Sequence, residues 1–594
     1  MKKKFFNYDA VLNVSHIKDL PSFYEYNSSL NNQKILAVTY DHRFFNLDSK
    51  NFIKNFVELN NLDHLMFTLK PSSSNIISKL NESIFNNFLY FSQLVFTIQS
   101  MIRYDIKKGF IDTSGLKINH KKLIFFNDIK TEIYNFIDIL RNNLNLNLNE
   151  FNKAFTIFST FKSIEKNFKN KTLYSIDSNK SDVMDYQKYF FQSITELEKN
   201  LFWVGFDPSY KSVPQDKPYP ETKYTKLINK SSRNKGLFER KLRYCIRCCL
   251  PETMEGIDFD DLGICVPCRS SEEKMHINWE ERIKNLQNLL NQHKSINYYD
   301  CMLPMSGGKD STYQAYLLKD VFNVSPLAVT HGQNWMSLEG RYNLENCLQK
   351  FDMDHLFFYV NRNAVNIMAK KSIKAIGDVC WHCHIGAGTF PIQSALCWNI
   401  DLMIWGESIA ERDGRSSYSK QKEASLFYNL EVSALVPASD LADHEISAKD
   451  MTGLFYPSIK ELKNTSIRYL HLGNYIFWDE EKQVEFIKRN FEWMDSKVEN
   501  TYKGYKSVEC IMAGLHDYSN FIKRGIGRAT IHASDDVRRG ILTREEAFEI
   551  IKIYDTQRPH VLDYYLEITG ISEKDFESTL IEARKKSKFA NKLK

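Results

Sequence analysis

Six consecutive residues, Ser306-Gly-Gly-Lys-Asp-Ser311, set two glycines, a lysine and two hydroxyls directly after the apolar run Cys301–Met305. Gly307 and Gly308 lack a Cβ, so the chain can turn sharply and bring successive N–H groups near one anion. A helix opening at Asp310 or Ser311 would point its positive end into the same concavity, and Lys309 adds a full charge. The pattern describes a phosphate cradle. It is not a Walker A loop, which has four residues between its first glycine and the Gly-Lys pair.

Three further groups have types and spacings that suit chemistry. Cys245-Ile-Arg-Cys248 and Cys265-Val-Pro-Cys268 are two Cys-x-x-Cys pairs with 16 residues between the inner cysteines. That is the spacing of a closed, structural zinc ribbon, while Cys249 falls outside the pattern and reads as a buried thiol. Cys380-Trp-His382-Cys383-His384 packs two thiols and two imidazoles into five residues. Such a cluster can hold a metal, run redox chemistry or handle a nucleophile. Towards the carboxyl end, His516-Asp517, Arg528, Arg538-Arg539 and Arg544 concentrate positive charge. Arginine forks suit carboxylates and phosphates, although a solvated basic face has the same composition. Thr543-Arg-Glu-Glu546 has the form of a capping box opening a helix.

The elements around these residues alternate. Strands are expected at Cys301–Met305, Pro326–Thr330, His355–Val360 and Leu402–Trp405, with helices at Trp279–His293, Arg341–Phe351 and Ala364–Ile376. This is a doubly wound α/β pattern with a parallel sheet, whose ligands bind at the carboxyl ends of the strands. Ser306–Ser311, Thr312, Thr330-His331 and Gly406-Glu407 all fall there. His331 is either a nucleotide neighbour or an ordinary strand-end residue. Glu407 is a candidate for positioning a substrate or handling a proton.

The opening residues repeat this region at one constant shift of 291 positions. Tyr8-Asp9 falls on Tyr299-Asp300, Leu36-Ala-Val-Thr39 on Leu327-Ala-Val-Thr330, and Asp63-His-Leu65 on Asp354-His-Leu356. A match at one fixed offset signals an internal duplication. The first copy has His16 and Ile17 where the second has its glycines, so it reads as degenerate. The expected division is a degenerate α/β copy with a helical extension over 1–205 and a proline-rich linker over 206–240. A zinc ribbon over 241–280 and a catalytic domain over 281–594 complete it.

Composition narrows the classes. With 594 residues, 43% hydrophobic and 26% charged, the chain is long enough for several cores and is not a disordered polymer. A net charge of +6 is too mild to argue for nucleic acid, and suits small anionic substrates. Asp9 and Asn13 interrupt any signal-like apolar stretch after Met1-Lys-Lys-Lys, and Phe88–Ile98 is too short to span a bilayer. A cytoplasmic location is expected, where eleven cysteines point to metal or chemistry rather than disulfides.

Ser306-Gly-Gly-Lys-Asp-Ser311 resembles the PP-loop of the ATP-pyrophosphatases, which grip the β,γ-pyrophosphate of ATP while a substrate oxygen takes AMP. The resemblance extends over about residues 240–590. The knuckles, the loop, Cys380-Trp-His-Cys-His384, Trp405-Gly-Glu407, Leu472-Gly-Asn-Tyr-Ile-Phe-Trp478, His516-Asp-Tyr and Arg528-Ala-Thr stand in the order found in N-acetyl sugar amidotransferases. Those enzymes serve surface-polysaccharide and nonulosonic-acid biosynthesis. The resemblance implies an HUP-like fold, ATP with Mg²⁺, structural Zn²⁺, and a reaction that makes an acetamidino sugar. Under it, Ser306, Gly307, Gly308, Ser311 and Thr312 surround phosphate, and Lys309 and Asp310 serve the phosphate or Mg²⁺. Cys380 and Cys383 would order the acceptor site, with His382, His384, His516, Arg528, Arg538 and Arg544 near the sugar. Met1 is followed by Lys2, with no Gly-x-Cys-x-Gly turn, so a separate glutaminase with a cyclase-like subunit is expected to supply ammonia. A PP-loop tRNA thiolase and a non-catalytic ATP-binding zinc scaffold are the alternatives.

Overall fold

The computed structural model describes residues 8–13, 34–41, 62–112, 123–176 and 242–586, apart from short stretches inside these ranges, the widest being 411–417 and 419–435. The proline-rich linker, the first-copy residues His16 to Asp19 and the final residues 587–594 lie outside that description. Among the described residues no helix is long and apolar enough to cross a membrane.

Among the described residues eleven strands form one sheet. The first half of the chain supplies β1 (Ala10–Asn13), β2 (Ile35–Asp41), β3 (Asp63–Thr68), β4 (Lys108–Asp112), β5 (Leu123–Ile124) and β6 (Thr172–Ile176). The second half supplies β7 (Cys301–Pro304), β8 (Pro326–Gly332), β9 (His355–Tyr359), β10 (Leu402–Trp405) and β11 (Arg468–His471). Their spatial order is β11-β10-β7-β8-β9-β3-β2-β1-β4-β6-β5. Neighbours pair in parallel except at β3–β9 and β5–β6. Continuous apolar runs such as Leu327–Val329 and Leu356–Phe358 are buried on both faces, as a helix-covered parallel sheet requires.

The constant shift in sequence reappears as geometry. Ala10–Asn13 corresponds to Cys301–Pro304 and Ile35–Asp41 to Pro326–Gly332, and both pairs are strands with the same bounds. The halves meet at the antiparallel β3–β9 pair, where His64 faces Tyr359, Met66 faces Phe357 and Thr68 faces His355. That register maps onto itself when the halves are exchanged, like the interface of a two-fold dimer inside one chain. Hydrogen bonds follow the same rule. Tyr8 donates to Asp63 at 2.5 Å and Tyr299 to Asp354 at 2.7 Å. Asn361 N donates to Asp63 Oδ1, and Lys70 N to Asp354 Oδ1, each at 2.8 Å.

The two copies therefore share a sheet and an apolar core rather than packing as separate globules. Of residues 107–205, 113–122 and 177–205 lie outside the described residues. Periodicity across 107–205 suggests only helix, and the helix Phe126–Leu144 is present, but β4, β5 and β6 interleave. Strands of two to five residues are too short to show an alternating pattern of their own. In the second half the expected strands and helices stand within three residues of their predicted bounds. The helix Trp381–Trp398, which carries Pro391 within it, and the edge strand β11 stand beyond the elements expected from the sequence.

Candidate active site

β7 ends at Pro304, and the chain turns through Met305–Gly308 into the helix Lys309–Tyr316. Gly307 makes the turn with φ +82°, and a Cβ there would stand 2.2 Å from the Gly340 carbonyl oxygen. Gly307 O accepts from the Trp493 indole at 3.2 Å, which fixes the turn from below. Gly308 is the N-cap and supplies no side-chain cap, so the helix start presents backbone donors outward. The Ser311 and Thr312 hydroxyls donate to Gly308 O at 3.0 and 3.1 Å. They brace the loop.

The loop opens onto a cavity of about 720 Å³, within the range of small-molecule sites. Ser306, Gly308, Lys309, Asp310, Ser311, Thr330, His331, Cys383, Gly406, Glu407, Arg528 and Arg538 all line it. The strand-end rule thus brings together residues from β7, β8 and β10 and from the helices Trp381–Trp398 and Arg528–Arg538. Gly307, Thr312, Cys380, His382, His384 and His516 do not line it. Arg544 stands elsewhere, donating to the carbonyls of Cys245 and Cys248 at 2.9–3.2 Å.

Charges in the cavity are already paired. Lys309 Nζ lies 2.5 Å from both Asp310 Oδ2 and Glu480 Oε1. Glu480 is itself buried and also holds Lys506. Arg528 bonds Asp517 and donates to Ser507 at 2.6 Å, while Arg538 and Arg539 share Asp535. Glu509 lies over the loop, its carboxylate oxygens 3.2 Å from where a Gly308 Cβ would be. Burial raises the Glu509 carboxyl above its ordinary value, although Lys309 and Arg528 pull the other way.

Glu480, Lys506 and Glu509 were not singled out from the sequence. Glu480 sits in Asp479-Glu-Glu481 and reads as ordinary first-turn acid. Glu509 reaches the loop only because Ser337 N bonds its carbonyl at 3.1 Å and Gly340 leaves room for its backbone. No local pattern encodes that contact.

His331 is buried, its ring nitrogens without a hydrogen-bond partner, and burial lowers it to about 4. It is a neutral imidazole at the wall. Thr330 Oγ1 donates to Met305 O at 2.9 Å and meets His355 Nε2 at 2.8 Å, tying β8 to the end of β7. His382 is packed edge-on against Trp335, centroids 4.7 Å apart, and burial lowers it to about 3.

The four knuckle cysteines converge in a buried cluster. Sγ of Cys245 is 3.8 Å from that of Cys268, and Cys248 is 3.7 Å from Cys265. Zinc bonded at about 2.3 Å in a tetrahedron separates its sulfurs by roughly 3.8 Å, so the cluster could bind zinc. Backbone N–H groups of Cys248 and Cys265 point to Cys245 Sγ at 3.5 and 3.3 Å, the kind of bond that supports a thiolate. Leu250 and Met254, between the pairs, line the cavity, so the knuckle forms part of its rim. Cys249 is buried against Thr530 O, and burial pushes its thiol up.

Residues 499–594 match the family model described as "LPS biosynthesis protein WbpG-like, C-terminal domain". The match covers Glu509, His516-Asp517, Arg528, Arg538 and Arg539, so it includes one wall of the cavity. The uncharacterized protein MJ1599 of Methanocaldococcus jannaschii is 30% identical over 133 residues, 22% of this chain. The chain spans about half of that relative, 47% of its length. The matched carboxyl-terminal domain fits a role in sugar or lipopolysaccharide biosynthesis.

Proposed function

We propose that the protein is an ATP-dependent amidotransferase acting on an N-acetyl sugar in surface-polysaccharide biosynthesis. The observation that carries the reading is the uncapped glycine turn of Ser306–Ser311, opening into a cavity one wall of which belongs to the matched domain. An unsubstituted backbone at the turn, a helix N-terminus and Lys309 fit a pyrophosphate. Asp310 and Glu509 would hold an accompanying Mg²⁺.

An amide oxygen is a poor leaving group, and ATP supplies the means to convert it to a phosphate ester. The N-acetyl oxygen attacks the α-phosphorus and pyrophosphate leaves. Ammonia then adds to the activated carbon, AMP departs with the former amide oxygen, and loss of a proton leaves an acetamidine. The chain's part is positioning and charge. Lys309 exchanges a carboxylate partner for the departing pyrophosphate, and first-turn N–H groups of the helix Lys309–Tyr316 stabilise the same charge. Arg528 and Arg538 stand on the side where an acidic or phosphorylated sugar would lie. Glu407 lines the strand mouth and is the candidate to take the proton. Ammonia would come from a separate glutaminase. Residues 1–205 would act as a packing partner without chemistry of their own.

Incubation with ATP, Mg²⁺, ammonium and a panel of free and nucleotide-linked acidic N-acetyl sugars tests this. The expected result is AMP release that requires one sugar, with the small mass drop of N–H replacing O. AMP release that requires tRNA and a sulfur donor, or none with any acceptor, would overturn it.

A further inference from the structure

A second cluster lies behind the cavity wall and takes no part in the reaction above. Asp378 follows Gly377, which ends the helix Arg362–Ile376 in a left-handed conformation. Two imidazoles face its carboxylate. His384 Nδ1 is 3.4 Å from Oδ2, and His516 Nδ1 is 3.6 Å from Oδ1. The rings are nearly perpendicular, 89° apart, with centroids separated by 4.8 Å. All three donor atoms lie within 4.8 Å of one another.

The carboxylate is aimed from behind. Cys380 N donates to Asp378 Oδ1 at 2.8 Å, and Ser372 Oγ donates to the Asp378 carbonyl at 2.7 Å. The Asn520 amide lies 3.1 Å from His516 Nε2. Turned so that its oxygen accepts Nε2–H, it leaves the Nδ1 lone pair directed at Asp378, the outer-shell arrangement of a metal-bound histidine.

A plain ion triad, one carboxylate between two imidazolium rings, is the competing reading. Two observations weigh against it. His516 Nδ1 is buried with no hydrogen-bond partner, and 3.6 Å is long for a charged N–H···O contact. The two imidazole-to-carboxylate separations, each to a different oxygen, are instead close to the roughly 3.4 Å between donors bonded at about 2.1 Å to one zinc at tetrahedral angles.

The geometry points to a two-histidine, one-carboxylate site at Asp378, His384 and His516 for a divalent transition metal, distinct from the four-cysteine cluster. Imidazole donors select zinc, cobalt or iron(II) over magnesium or calcium. Three protein ligands leave coordination positions open, unlike the closed Cys₄ shell. Cys383 and Asp517, the chain neighbours of His384 and His516, line the cavity, which places the ion just behind its wall. This assignment does not depend on the amidotransferase reading.

The test is cobalt loading of the full chain after chelator stripping, followed by visible absorption and metal counting. The wild type should take two equivalents. One should show intense thiolate charge transfer, and the other only weak d–d bands. Asp378→Asn and His516→Gln should fall to one equivalent while keeping the thiolate bands, which report an intact fold. A wild type that saturates at one equivalent with thiolate bands would overturn the proposal. So would a second equivalent that persists in both variants. The wild-type count decides the matter even if a variant fails to fold.

Discussion

Gly307→Ala isolates what the Ser306–Ser311 turn demands of its backbone. With φ at +82°, an alanine there costs roughly 1–2 kcal/mol from the left-handed conformation alone. Its Cβ would also lie 2.2 Å from Gly340 O and 3.0 Å from Leu344, so backbone must move, which adds about 1–3 kcal/mol. The variant should therefore lose about 2–5 kcal/mol in urea unfolding. It should also bind ATP more weakly, because relief of the clash displaces the turn. Gly308→Ala provides the internal contrast. Its φ of −71° suits any residue, and its Cβ would meet only the ends of Glu509 and Ser306 at 3.2 Å. Its stability should lie between a slight gain and a loss of about 1 kcal/mol, while the methyl still intrudes on the phosphate face. The assays are urea midpoints with slopes and an ATP titration of each variant. If Gly307→Ala unfolds at the wild-type midpoint and binds ATP with wild-type affinity, the argument for the loop fails.

Other perturbations separate the remaining parts. Arg544→Ala removes the donors that hold the Cys245 and Cys248 carbonyls, worth about 1.5–3 kcal/mol. It should speed zinc release to a colorimetric chelator while leaving the sugar KM close to wild type, whereas Arg528→Ala should raise that KM. His64 and His331 are buried neutral, lowered by burial to about 3 and about 4. Both lie below the unfolded value, so unfolding takes up protons and stability falls as pH drops through about 6.5 towards 4. Each contributes about 2 kcal/mol of that loss by pH 5. His64→Gln should flatten urea stability against pH between 7 and 5; an unchanged slope would contradict its burial as a neutral ring. A fragment comprising residues 242–594 would expose the β9 edge and should self-associate through it, which light scattering on a sizing column reads directly.

How much of this was legible in the sequence depended on whether the signal was local. The glycine turn, the Cys-x-x-Cys pairs and the Thr543 capping box are short-range patterns, and the last is present with Thr543 and Glu546 exchanging bonds. Apolar runs marked β7 to β10 because those strands are buried on both faces. β11 escaped because Arg468-Tyr-Leu-His471 is a half-exposed edge with no such run. The helix Trp381–Trp398 escaped because Gly386, Gly388 and Pro391 are poor helix formers, and tertiary packing overrides them. Glu480 and Glu509 were invisible for another reason. Each is an ordinary acidic residue whose role is set by a distant lysine or glycine loop that only the folded chain brings near.

The duplication shows the same distinction between local and long-range demands. Positions that match at the 291-residue shift include Tyr8, Asp9 and Asp63, with their partners Tyr299, Asp300 and Asp354. These are the residues that make symmetric hydrogen bonds near the strand starts and across the β3–β9 seam. Asp9 accepts from Lys34 N at 2.7 Å and Asp300 from Ser325 N at 2.8 Å, again one shift apart. Positions that differ include the glycines of the loop, which are His16 and Ile17 in the first copy. A self-complementary seam needs both copies to keep their strands and edge contacts, since each half covers the other's exposed edge. It places no demand for glycine at those two positions. The first half can thus lack those glycines and still complete the sheet that positions the second half's turn at Ser306.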